Sequence, residues 1–234
     1  SQTLADPYVR AEAEAFMAQE GQHFRAHRRF NDLLKNRHYP RLATVEDDMA
    51  ASYARLDSRS LRTRMAYTVG FETMTIGLTR WLVADRVRLF GHVDTRVVSV
   101  MLWHMVEEIE HKCVAFDVYQ AHFSNSFSGY LARVVGIVHA AVHVIGFSLR
   151  GAREILRTEG RWSRMQNRLR LVYWLGCLVR AVSPCMFRAA MPGHDPRKET
   201  DPKWVRDWLD GYKGSGIPLV DTAHPDMPVP FPSP

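Results

Sequence analysis

Apolar side chains recur at spacings of three and four residues along almost the whole chain, and no segment alternates convincingly with a period of two. A period near 3.6 residues is that of an amphipathic α-helix. The pattern therefore predicts an all-α fold, with early helices at about 8–35, 44–56, 60–90 and 94–122. Asp6-Pro7 and Asp94 predict helix starts, and Gly91 predicts a helix end.

The chain becomes more apolar after residue 126. The stretches 130–149 and 169–191 are nearly all apolar, but both contain arginines. A membrane-spanning helix needs about twenty apolar residues with few charges, so neither stretch is a clean span. The pattern is compatible with buried bundle helices, and with a hairpin that lies on or dips into a membrane while its arginines reach the headgroups. The Pro- and Gly-rich stretch 211–234 predicts an extended tail draped over the body.

The length of 234 residues predicts one helical domain over 1–210, with apolar helices within 126–191, followed by the tail. The three cysteines have no paired spacing and lie among apolar residues, which argues against a disulfide framework: Cys113, Cys177 and Cys185. The first seven residues do not resemble a secretory signal. We therefore expect a cytoplasmic protein.

The formal net charge is +6 and comes mostly from arginines spread over nearly every predicted helix. A protein that binds nucleic acid would more often show a basic stripe with a recognisable motif, so we expect no nucleic-acid partner. A basic surface instead favours anionic lipid headgroups or an acidic partner.

Two histidine–carboxylate clusters lie far apart in the chain. Glu20 and His23 are three residues apart in the first helix, and His104, Glu108 and His111 follow one another at four and three residues in the fourth. Residues at these spacings share one face of a helix. If the two helices pack together, five potential metal ligands converge.

A simpler interpretation exists for each cluster, because a lone buried histidine is usually a core residue and a run of glutamates is often a solvated helix face. Two independent clusters favour a metal site, since burying uncompensated carboxylates costs several kcal/mol each and a metal pair offsets that charge. Glu72, in an apolar run, is a further ligand candidate, and three threonines on its face could orient it: Thr68, Thr75 and Thr79. Glu110 falls about 120° away from His104 and should leave the site.

The segment His104-x-x-Glu107-Glu108 lacks the second histidine that a zinc protease motif needs in either orientation. Mixed imidazole and carboxylate ligands on helices suit iron or manganese better than structural zinc.

The segment Gln19-Glu20-Gly-Gln-His23 with His27, and the segment from Trp103 to Tyr119, resemble a bacterial family of predicted metal-dependent hydrolases. The resemblance spans most of the chain, and Pro192-Gly-His194-Asp195-Pro is similar to that family's C-terminal signature. It implies a ferritin-like helical bundle with additional C-terminal apolar helices, and with the metal-site helices within 8–123.

The order of ligand types is also similar to that of di-iron N-oxygenases that act on aryl amines. Glu20 and His23 match one element of that pattern, Glu72 the next, and the His104–His111 segment the last, which implies His104 as an extra histidine ligand. Those enzymes carry a further glutamate on an earlier helix. We expect either that this chain is truncated before that helix or that another group completes the site, with Glu107 and Asp47 as poor substitutes.

These patterns predict first a non-haem di-iron carboxylate oxidoreductase that activates dioxygen on a small apolar or aromatic substrate, with two Fe ions, or a Mn/Fe pair or Zn, as cofactor. One alternative is a two-metal-dependent hydrolase of an ester or amide. Another is a non-catalytic ferritin-like metal-binding or membrane-associated scaffold. Glu107 and His27 would orient ligands or move protons. Beyond the small-molecule substrate, the expected partners are a membrane surface, contacted peripherally, and a second copy in a homodimer.

Overall fold

The computed structural model describes residues 6–123, 126–214 and 216–231. Throughout these ranges the chain forms α-helices, one 3-10 helix and connecting segments, with no strand, so the predicted all-α class is confirmed. The α-helices are α1 (Pro7–Arg37), α2 (Leu42–Asp57), α3 (Leu61–Ala84), α4 (Arg86–Phe90), α5 (Thr95–His111), α6 (Val114–Phe123), α7 (Phe127–Thr158), α8 (Met165–Ala190) and α9 (Lys203–Gly211), and the 3-10 helix is Pro196–Lys198.

Polar caps begin helices where the sequence predicted them. The Asp6 carboxylate accepts a hydrogen bond from the Tyr8 amide at 2.8 Å, just before α1. The Asp94 carboxylate accepts one from the Arg96 amide at 2.9 Å, just before α5. Both bonds satisfy amides that have no partner inside the helix. Gly91 follows α4, as predicted.

Two helices that the sequence predicted as continuous are interrupted. The predicted helix at 60–90 breaks at Asp85, whose carboxylate accepts a hydrogen bond from Trp81 Nε1 at 2.8 Å. The predicted helix at 94–122 breaks at 112–113, where Lys112 donates to the Glu199 carbonyl at 3.1 Å and to Asp201 Oδ1 at 2.5 Å. The prediction that each of these helices is continuous was wrong. Both breaks coincide with side-chain contacts, and the spacing of apolar residues gives no information about such contacts.

The chain divides into two compact units, each made of two segments. Unit 1 comprises Ser1–Phe71 and Val114–Arg180, and unit 2 comprises Glu72–Cys113 and Ala181–Pro234. The single domain over 1–210 stays a prediction.

Unit 1 packs α1 against α6 and α2 against α7. Its core consists of side chains from α3 and α6: Ala66, Val69, Ala115, Phe116 and Tyr119. The backbones of α3 and α7 touch, because a Cβ added to Gly136 would overlap the carbonyl group of Ala66. Glycine is therefore required at this crossing.

Unit 2 is built around α5, ten of whose 17 residues are buried, so α5 is the central helix of this unit. The C-terminal tail packs here too. The Val220 amide donates to Ser99 Oγ at 2.8 Å, and the carbonyl of buried Met227 accepts from Arg86 Nε at 3.1 Å and from Trp204 Nε1 at 3.0 Å. Gly211 of the predicted tail belongs to α9, and the structure describes 212–214 and 216–231 of the remainder. Residues 232–234 lie outside the described ranges, as does the predicted connection at 124–125.

The two apolar stretches form α7 and α8, each long and apolar enough to cross a membrane by length and composition. Only 22% of the most apolar window of α7 and 11% of that of α8 are buried. The expectation of buried bundle helices therefore does not hold for these windows. The alternative, contact with a membrane, is compatible with their exposure.

Candidate metal centre

On α1, the buried side chain is a histidine. All 31 residues of this helix are described, and among them only His23 is buried. Its Nδ1 lies 3.3 Å from Oε1 of Glu20, one turn earlier, and His27, one turn later, is half-buried. Core positions usually hold apolar residues. Because the one buried residue of α1 is a histidine, we infer a chemical role for its side chain.

On α5, His104 and Glu108 form a shorter contact. Nε2 of His104 lies 2.6 Å from Oε1 of Glu108, and the Glu108 side chain has no solvent exposure. A buried carboxylate requires groups that offset its charge. The imidazole supplies one such group, and a divalent cation would supply another.

The other polar residues of α5 follow the predicted helical register. His111 and Glu107 are buried, whereas Glu110 is exposed and leaves the site as predicted. Among the described residues, His111 does not join His104 and Glu108 in a group whose ligand atoms all lie within 4.8 Å of one another. It therefore shares their helix and, like Glu108, is buried.

Glu72 is buried on α3. The Thr79 hydroxyl donates to the Met105 carbonyl at 2.9 Å and so connects α3 to the middle of α5. The hydroxyls of Thr75 and Thr68 donate to backbone carbonyl groups of α3. The expectation that these threonines orient the Glu72 carboxylate was wrong, because helical threonines readily bond backbone carbonyl groups instead. They fix the backbone that carries Glu72.

Tyr212 is a neighbour of Glu107 that the sequence did not single out. It follows α9, and its hydroxyl donates to the Gly216 carbonyl at 2.9 Å. Burial, followed by the negative charge of Glu107, raises the pKa of the Tyr212 phenol, which therefore stays protonated near neutral pH. A tyrosine in an irregular segment far along the chain from α5 carried no signal in the pattern of apolar and polar positions.

A charged cluster anchors the C-terminal end of α5. Glu199 accepts hydrogen bonds from Arg188 Nε and from Arg80 Nη1, both at 2.6 Å. The bond from Arg188, with further help from Arg80 and against the effect of burial, lowers the pKa of Glu199 to about 2. Lys112, the residue after His111, bonds the Glu199 backbone carbonyl. The helix end that carries His111 is thereby held in place.

An all-α chain with part-buried histidine–carboxylate pairs on α1 and α5 has the features of a helical metal-binding protein, because imidazole nitrogens and carboxylate oxygens are common ligands of divalent metals. The chain belongs to the family of predicted metal-dependent hydrolases, whose sequence profile matches residues 1–200.

No curated protein and no solved structure matched this chain. The family match confirms the resemblance noted in the sequence and, together with the histidine–glutamate contacts, indicates a metal cofactor. It supports the hydrolase alternative and gives no support to the di-iron oxidoreductase that the ligand pattern first predicted.

Proposed function

We propose that this protein is a two-metal-dependent hydrolase that acts on a small ester or amide. The observation that carries the proposal is the contact between His104 and the fully buried carboxylate of Glu108 on α5, in a chain of the predicted metal-dependent hydrolase family. Hydrolysis requires no change of oxidation state, so nitrogen and oxygen ligands around a redox-inert metal suffice.

The chemistry of the donor set fits divalent metals. The proposed ligands are Glu20 and His23 on α1, Glu72 on α3, and His104, Glu108 and His111 on α5. Most of them are buried, and cations stabilise a buried group of carboxylates by offsetting their charge.

Residues beside the ligands would handle the substrate and its protons. Glu107 can accept a proton, and the neighbouring phenol of Tyr212, whose hydrogen is donated to the Gly216 carbonyl, stays neutral beside it. His27, half-buried one turn beyond His23, can orient a ligand. A bound metal pair would supply Lewis-acid polarisation of the scissile carbonyl and a lower pKa for the attacking water.

The test is metal-dependent hydrolysis by the purified chain. Protein stripped with a chelator is titrated with Zn²⁺, Mn²⁺ and Fe²⁺ and assayed on p-nitrophenyl esters of graded chain length and on the matching anilides. We expect turnover that depends on the added metal. The Glu108→Gln variant should lose about a hundredfold or more in kcat/KM, because a neutral amide is a poor substitute for a ligating carboxylate.

The matched control is Glu110→Gln, at an exposed position on the same helix, which should keep its activity. Oxygen consumption with Fe²⁺ in the absence of ester or amide cleavage would contradict the proposal and favour the oxidoreductase. Metal binding with neither activity would favour the non-catalytic scaffold.

A further inference from the structure

α7 carries a line of exposed apolar side chains. Five residues, each more than half exposed, form what we name the α7 stripe: Phe127, Leu131, Val135, Val138 and Val142. At about 100° per residue they fall within an arc of about 80° on the helix. Soluble monomers rarely expose contiguous apolar patches of this kind unless the patch binds something.

α8 repeats the pattern directly after the turn that joins the two helices. Its first half exposes four apolar or aromatic residues, each by more than half, which we name the α8 stripe: Met165, Leu169, Val172 and Tyr173. Their spacing of three or four residues again keeps most of them on one face. Both helices of this hairpin therefore present apolar side chains to the solvent.

The face of α7 opposite the stripe is covered by protein. His143 contacts Ser52 Oγ on α2 at 2.9 Å and the Tyr67 hydroxyl on α3 at 2.7 Å, and Arg133 is buried with its guanidinium 5.7 Å from the ring centre of Phe116. A helix embedded in lipid would be apolar all round. α7 is not, so its stripe is the apolar face that a lipid phase could contact.

The segment from the last turns of α7 to the first turns of α8 is strongly basic. Residues 150–170 contain seven arginines and two glutamates, and each glutamate is paired with an arginine of the same segment. Arg153 lies at the edge of the α7 stripe on the helical projection. Three further arginines form no ion pair with any residue that the structure describes: Arg164, Arg168 and Arg170.

We propose that the α7 and α8 stripes dock this protein on an anionic phospholipid membrane. The apolar side chains would enter the boundary between headgroups and acyl chains, and the arginines of 150–170 that form no ion pair would bind lipid phosphates, as in helices that lie in the membrane interface. Charge complementarity selects this occupant, because a second copy of the chain would bring the same arginines to the contact, where like charges repel. The inference does not depend on the hydrolase assignment.

The experiment is flotation of the full chain with lipid vesicles in a density gradient, which separates bound protein from aggregates. One vesicle set is pure phosphatidylcholine, and the other contains one-third phosphatidylglycerol. We expect flotation with the anionic vesicles, weakened by added salt, and little with the neutral ones.

Two pairs of variants separate the apolar and the charged contributions. Val138→Gln with Val142→Gln should lower the partition coefficient about tenfold or more, whereas Val87→Gln with Val93→Gln, at exposed valines outside the stripes, should leave it unchanged.

Arg164→Gln with Arg170→Gln should lower the partition coefficient about fivefold per arginine, whereas Arg25→Gln with Arg29→Gln, exposed on α1, should have little effect. Circular dichroism establishes that each variant folds, and the single Val142→Gln variant serves if the double variant does not.

Wild-type protein that stays at the bottom of the gradient with both vesicle sets overturns the proposal, and so does equal flotation with neutral and anionic vesicles. An equal loss in stripe and control variants also overturns it. A dimer in solution that Val138→Gln with Val142→Gln dissociates, in a chain that does not float, assigns the stripes to a second copy instead.

Discussion

At the scale of residues, burial separates three glutamates that the sequence presents as near equals. Glu107 and Glu108 are buried on α5, whereas Glu110, on the same helix, faces solvent. Helical geometry alone predicted the direction of Glu110, because the angle per residue is fixed. The depth of Glu108 depends on what packs over α5, and therefore only the structure could supply it.

Glu199 gives a test of the electrostatics at the end of α5. Its pKa is about 2 in the folded chain and 4.5 in the absence of partners. A carboxyl group whose folded pKa is lowered stabilises the fold above its unfolded pKa, and this contribution disappears as the pH falls through that range. Glu199→Gln should therefore cost about 2 kcal/mol near neutral pH, less than the whole pKa shift implies because water screens the half-exposed Arg188.

The measurement is urea denaturation of the wild type and Glu199→Gln at several pH values. The difference in unfolding free energy should shrink between pH of about 4.5 and about 2. Glu12→Gln, on an exposed part of α1, is the control and should change little at any pH. A difference that stays constant with pH would show that the carboxylate charge is not what stabilises this segment.

At the scale of elements, periodicity predicted which helices exist but not where they break or what covers them. The first helix was expected at 8–35 and is Pro7–Arg37. The breaks at Asp85 and Lys112 coincide with contacts to partner side chains, in the second case far along the chain. An apolar run likewise predicts that a helix face avoids water, but it does not show whether protein or a membrane covers that face. The sequence therefore predicted that α7 is a helix, but not that its apolar face is exposed.

Two glycines of α7 give a paired test of the helix packing in unit 1. In Gly136→Ala the new Cβ would meet the backbone of Ala66, so we expect a loss of about 2 kcal/mol in unfolding free energy. In Gly146→Ala the new Cβ would meet nothing within 4 Å, so the better helix propensity should give a gain of up to about 1 kcal/mol. Thermal or urea denaturation measures both, and equal effects would contradict the close approach of α3 and α7.

At the scale of the whole molecule, the proposed ligands lie on three helices spread over the first half of the chain. Binding to the folded state alone would stabilise the protein by about 2.7 kcal/mol when metal is present at a hundred times its Kd. For a chain of this length that corresponds to a rise in Tm of about 5 to 10 °C. We expect this rise when metal is returned to chelator-treated protein.

His23→Ala and His104→Ala should each abolish most of the rise in Tm, because both histidines are proposed metal ligands. His92→Ala, at an exposed histidine, is the control and should retain the full rise. If His23→Ala keeps the rise while His104→Ala loses it, then α5 binds metal without α1, and the proposed ligand set is wrong.

The family profile ends at residue 200, whereas residues after 200 still pack into unit 2. Val220 and Met227 are fully buried, and the carbonyl of Met227 accepts hydrogen bonds from Arg86 and Trp204. A chain trimmed to the recognisable family sequence would keep every proposed ligand and yet lose α9 and the tail. The part of the chain that the family profile matches is thus shorter than the part that packs together. We expect that production of folded protein requires the residues after 200 as well.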